Sequence, residues 1–158
     1  MEKEKYGDNF QEHLLEQYKL YVEMADRISA RRAQSNRFYI SLLSALLALL
    51  SILINRNLWN NIQNAIFLAV AILGLALCFL WYVNINSYRQ LNSGKFKVIH
   101  ELEQHLPFNC YDREWQILGE GEERKKYLQL THVEQFVPFV LAVPYLLLFV
   151  YSIYILID

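Results

Sequence analysis

The chain predicts an all-α integral membrane protein: three transmembrane helices, a long cytoplasmic N-terminal helix extension, and a short helical cytoplasmic insert between spans 2 and 3. Three observations carry that reading. Charges are segregated rather than scarce: 18 uncharged residues separate Arg37 from Arg56, 32 separate Arg56 from Arg89, and 23 separate Glu134 from Asp158. Each run is as long as a bilayer crossing requires. No Pro or Gly interrupts the chain from Asp8 to Arg56, so the first span continues an N-terminal helix. Basic residues, finally, are one-sided. Residues 1–37 hold seven Lys/Arg, residues 84–132 hold seven, and the turn between spans 1 and 2 holds only Arg56. The positive-inside rule then puts the N-terminus and the middle segment in the cytoplasm and the C-terminus outside.

The 158 residues predict a single membrane domain, divided as a cytoplasmic helix (9–37), span 1 (38–55), span 2 (62–83), a cytoplasmic helical segment (84–132) and span 3 (133–157). A net charge of −1 excludes a simple nucleic-acid-binding tail. Cys78 lies in an apolar run and Cys110 in a polar one, which offers no disulfide framework. The N-terminal residues are charged from the start, so span 1 is expected to act as the insertion signal.

In the first helix Phe10, Leu14, Tyr18, Tyr21, Ala25 and Ile28 recur at steps of 4, 4, 3, 4 and 3, the spacing of an amphipathic seam. Asp8 or Asn9 suits its N-cap, and Glu12 its dipole. A rod this long needs a partner for that seam, supplied within the chain or by a second copy. The oligomer seam is accordingly assigned to Leu14, Tyr18, Tyr21, Ala25 and Ile28, with contact inside the chain as the alternative.

Span 1 carries a second stripe. Ser41, Ser44, Ala48, Ser51 and Asn55 follow steps of 3, 4, 3 and 4 and fall within an arc of roughly 80°. Lipid rewards no serine stripe, so this face meets protein as a packing seam or water as the wall of a path. Span 2 is expected to end in an interfacial belt at Trp81 and Tyr82, with Trp59 at the opposite interface. Its small face at Ala71, Gly74 and Cys78 is a seat for the first helix.

In the middle segment Phe96, Ile99, Leu102 and Leu106 mark a short amphipathic helix stopped by Pro107, and residues 111–118 a second one. Gly119 to Lys126 read as a charged turn. Tyr127 starts a helix leading into span 3, where Pro138 and Pro144 kink the helix or mark its start.

Chemistry-bearing patterns are thin. His100 and His105 flank Glu101 and Glu103 in a sequence reminiscent of a zinc motif. Their spacing of five turns them about 140° apart on a helix, where they cannot share a metal. Glu101 and His105 read instead as an i,i+4 surface pair. Gly119-Glu120-Gly121 lacks the strand and the Lys-Ser/Thr of a phosphate loop. No catalytic residue, cofactor or metal site is expected, and the chain is read as a non-enzyme. Glu134, four residues before Pro138, sits at the cytoplasmic mouth of span 3. There it caps backbone groups, pairs with a cytoplasmic Arg or contributes to a cation-attracting ring. Arg31, Arg32, Arg37 and Arg89 mark the inner interface.

The middle segment carries a resemblance. Arg89-x-Leu91-Asn92, Lys95-Phe96-x-Val98-Ile99-x-x-Leu102-Glu103-x-x-Leu106-Pro107 and Tyr111-x-x-Glu114-Trp115 resemble the RipA-type octameric family of small bacterial inner-membrane proteins. The long N-terminal helix running into a hairpin of spans is similar to the SLATT group of predicted defence effectors. The first resemblance implies a homo-oligomer, an octamer, in the bacterial cytoplasmic membrane. The second implies a pore-forming or membrane-disrupting effector coupled to a nucleotide second messenger and a nucleotidyltransferase partner. Two functions therefore stand: a channel-like effector gated through its cytoplasmic helices, and a non-conducting oligomeric scaffold.

Overall fold

The computed structural model describes residues 6–55, 60–119 and 130–157. They form four helices: α1 (Phe10–Asn55), α2 (Asn60–Glu103), α3 (Cys110–Ile117) and α4 (Leu130–Ile157). No strand occurs among the described residues. Three of the helices, α1, α2 and α4, are long and apolar enough to cross a membrane.

Helix α1 starts directly after Asn9, whose carbonyl takes the first i+4 bond from the His13 N–H (3.0 Å). Asn9 therefore occupies the N-cap position. With no proline or glycine to stop it, the helix runs 46 residues through the change from charged to apolar sequence. Helix α2 departs from expectation. The helix that carries span 2 does not stop near residue 83, and no separate helix begins at Phe96; one helix of 44 residues covers both. Nothing between 84 and 95 breaks it, because its single glycine there, Gly94, keeps helical geometry. The stop comes later. The N–H groups of His105 and Leu106 bond to the carbonyls of Leu102 and Glu103, three residues back. That tightening ends the helix ahead of Pro107.

Helix α4 begins at Leu130 and passes through both Pro138 and Pro144, so neither proline marks its start. Each removes one backbone donor, leaving the carbonyls of Glu134 and Val140 without their i+4 partners. Residues 56–59 and 120–129, which contain Trp59, most of the charged turn and Tyr127, lie outside the described set.

The chain divides into two compact units. An apolar unit comprises Ala33–Asn86 and Thr131–Asp158, and a polar unit comprises Met1–Arg32 and Ser87–Leu130. The apolar unit is built on Leu43, Cys78, Trp81, Ile85 and Tyr145, with Tyr39, Leu47, Val70 and Val137 packed around them. The polar unit has its own core of Phe10, Leu14 and Leu102, flanked by Tyr18, Tyr21, Val98 and Leu106.

Candidate functional site

In the apolar unit α1 turns two chemically distinct faces. Leu43 and Leu50 are buried, and Tyr39, Leu46 and Leu47 join the core beside them. Ser41, Ser44, Ala48 and Ser51 are all exposed in the single chain. The stripe read from the sequence is therefore, among the described residues, a face that the other helices leave exposed. Asn55 closes α1, and its side chain lies outside the described set. Exposed positions on α4 have the opposite character: Phe136, Phe139, Val140, Leu147 and Tyr154 are bulky and apolar. One outer surface is thus small and hydroxylated, and another suits hydrocarbon.

At the seat of Ala71, Gly74 and Cys78, Cys78 shares its core cluster with Leu43 of α1 and also with Tyr145 of α4. A Cβ on Gly74 would meet Cδ1 and Cε1 of Tyr145, so α4 lies over that glycine. The buried Tyr145 hydroxyl then donates to the Leu43 carbonyl of α1 at 2.6 Å. Trp81 is turned into the apolar unit rather than outward. It is 1% exposed, its ring stacks on Tyr39, and its indole N–H donates to Oδ1 of Asn36 at 2.9 Å. An indole N–H removed from water needs such an acceptor. Two further ties join α2 to α4. Gln135 donates to Oδ1 of Asn86 (2.7 Å), and Asn64 donates to the Ser152 carbonyl (3.2 Å). Glu134 is half-buried beside Gln135 in sequence, and it is engaged rather than free.

In the polar unit the seam of Leu14, Tyr18, Tyr21, Ala25 and Ile28 finds partners within one chain. Leu14 (2% exposed), Ala25 and Ile28 are buried. Leu14 packs with Phe10 and Leu102, and Tyr18 and Tyr21 border the same cluster. Lys95 lies 5.1 Å from the centre of the Tyr21 ring, in cation–π range. Arg27 pairs with Glu23 one turn away on the exposed side.

The histidine-flanked segment also resolves differently. Helix α2 stops at Glu103, so Glu101 and His105 do not share the helical i,i+4 geometry expected of them. No group of three metal-ligating side chains occurs among the described residues. The important carboxylate is Glu103, which is fully buried. Its Oε1 accepts from the Tyr18 hydroxyl (2.9 Å) and the Tyr111 N–H (2.9 Å), and its Oε2 from the Asp112 N–H (3.2 Å). Those two amides belong to the first turn of α3, whose own N-cap residue, Asn109, makes no side-chain cap bond. Glu103 thus caps a helix from outside it. The arrangement raises the Tyr18 pKa, by burial first and by the Glu103 carboxylate second. Tyr111 is raised as well, by burial and then by Asp26, Glu114 and Glu103. Sequence spacing gave no sign of this, because a cap supplied across a turn has no fixed offset.

The model of the octameric membrane protein family (8xMP) matches residues 15–154. No curated protein and no solved structure matches the chain. The family match takes in most of each membrane-length helix and parts of both packed units. This chain, a multi-pass helical membrane protein, belongs to the octameric membrane protein family.

Proposed function

We propose that the protein is a homo-oligomeric membrane assembly in which the exposed face of α1 turns toward neighbouring copies and lines a conducting path. The observation that carries this reading is the outward position of Ser41, Ser44, Ala48 and Ser51. A hydroxylated face against lipid forfeits hydrogen bonds, whereas around a narrow path it keeps water in place. The bulky exposed face of α4 takes the lipid side. Fourteen basic residues against one support a cytoplasmic N-terminus and an external C-terminus in the bacterial inner membrane. The assembly works without catalysis: the polar unit receives a signal, and the apolar unit opens. A defence role, with a nucleotide second messenger and a nucleotidyltransferase partner, rests on the SLATT resemblance alone. Small residues also favour close backbone approach, which supports the second reading, a non-conducting scaffold with the same face as its seam.

Ser44→Leu and Ser51→Leu separate the two. In liposome flux assays paired with particle sizing, a water-lined path loses flux while the oligomer persists, because leucine dewets a narrow pore. Dissociation of both leucine variants would leave the scaffold reading.

A further inference from the structure

The α1–α2 pair of the polar unit has two sides, and α3 lies along one of them. The Tyr111 ring meets Phe96 of α2 at 5.7 Å, Glu103 of α2 receives the first amides of α3, and Asp26 of α1 acts on the Tyr111 phenol. At about 100° per residue, Met24 stands roughly 160° around α1 from Asp26, and Leu91 roughly 140° around α2 from Phe96. Both therefore face away from α3. Among the described residues Leu20, Met24 and Leu91 are exposed on that second side. Lys95 reaches over from α2 to within 4.0 Å of the Met24 sulfur, and Gly94 leaves a gap, with nothing within 4 Å of where its Cβ would stand. Helix α3 carries an apolar surface of its own. Phe108, just ahead of it, and Ile117, at its end, are each 64% exposed. Clustered apolar side chains on a water-facing unit mark an interaction surface. The rims of the two patches differ in sign. Lys95 and Arg31 border the first, and exposed Glu114 borders the second, where Arg113 is engaged with Gln116. The family to which the chain belongs is octameric. A patch that pairs with itself stops at a dimer, whereas unlike patches on opposite sides join head to tail and can close a ring. We infer that the occupant of the Leu20–Met24–Leu91 patch is α3 of a second copy, with its Phe108 and Ile117 set against that patch and the same contact repeated around the ring. This contact rests on the homo-oligomer of the proposed function, not on its conducting path.

The test is cross-linking of the full-length protein in its membrane, paired with sizing of the parent in detergent. In a Cys78/Cys110-free background one cysteine replaces Leu20, Met24 or Leu91 and a second replaces Phe108 or Ile117, and a short bis-maleimide joins thiols that lie close. At least one such pairing should give a ladder of covalent multimers that climbs past the dimer. Its two single-cysteine variants, made separately, should run as monomers on a denaturing gel. Co-expressed, they should stop at the dimer, because each chain then offers only one of the two faces. A single variant that cross-links to itself would make the contact isologous and overturn the proposal. Links confined to one chain would place both patches on the same side and overturn it too. Absence of a ladder in every pairing, while the parent still sizes as an oligomer, refutes this contact and leaves the homo-oligomer standing. A parent that sizes as a monomer removes both.

Discussion

Tyr145 occupies the space that a side chain at position 74 would need, and from there its hydroxyl reaches the carbonyl of Leu43. One residue of α4 thereby touches both other membrane-length helices. Its contact with Gly74 is backbone-close, which accounts for a glycine in the middle of a long helix where glycine otherwise costs stability.

Two glycines of α2 should respond to alanine with opposite sign. Gly74→Ala drives a methyl into a fully buried ring and should destabilise by about 1–3 kcal/mol, the range for overpacking. Gly94 has nothing within 4 Å of its would-be Cβ, so Gly94→Ala should stabilise by about 0.5–1 kcal/mol through helix propensity and chain entropy. Unfolding of each variant in mixed micelles checks both. Equal effects would mean that Tyr145 does not pack on Gly74.

Trp81 should behave as an interior residue. With Trp59 and Trp115 replaced by Phe, its emission is expected to be blue-shifted and poorly quenched by a water-soluble quencher, in keeping with 1% exposure. Asn36→Leu removes the acceptor of the indole N–H and should cost about 1 kcal/mol, the usual worth of such a bond. A quencher-accessible Trp81 would restore it to the membrane interface.

Alkaline pH should loosen the polar unit through Tyr18. Its pKa is raised above the ordinary 10.0 by burial and then by Glu103. The unfolded chain therefore loses its phenol proton first, and the folded chain still holds it. The stability that Tyr18 contributes is complete below about pH 10 and declines as pH rises through the folded pKa. Tyrosinate absorbance during a pH titration should show a late fraction that ionises as the polar unit opens, and Tyr18→Phe should remove part of it. A Tyr18 that titrates at its ordinary value contradicts the bond to Glu103.

Topology has its own check. In a Cys78/Cys110-free background, a cysteine at Asn9 or Ser93 should be shielded from a membrane-impermeant thiol reagent in intact cells, and one at Asn60 should react. Both Asn9 and Ser93 are exposed in the structure, so shielding there would report the membrane rather than packing. Labelling of Asn9 would reverse the orientation drawn from basic residues.

The long α1, the three membrane-length helices and the small stripe were legible because each depends on local pattern: uncharged length, absent breakers, and period-3.6 placement of serine. Whether Ser41 and Ser44 turned inward or outward was not legible, since periodicity groups residues on a face without saying what meets it. The inward turn of Trp81 was hidden for a related reason. An aromatic near the end of an apolar run looks interfacial, until a helix that continues for twenty more residues and an asparagine on α1 make it internal. Continuity of α2 was hidden by composition, which shifts from apolar to charged near residue 87 although nothing there breaks a helix. Glu103 and the Gly74–Tyr145 approach depend on which helices meet and at what height, and no one-dimensional pattern records that.

The hydrogen bonds of the apolar unit fall at three heights along its helices: Asn36 to Trp81 and Gln135 to Asn86 toward one end, Tyr145 to Leu43 between, and Asn64 to Ser152 toward the other. During biogenesis this spacing works as a vernier. Greasy helices slide past one another at little cost, because every register offers hydrocarbon to hydrocarbon. A slip of one turn, about 5.4 Å, would here strand an indole, four amides and a phenol at once, in a medium that offers them no water. Only one alignment retires all of them together, so a chain arriving span by span at the membrane can reject wrong pairings before any second copy is met.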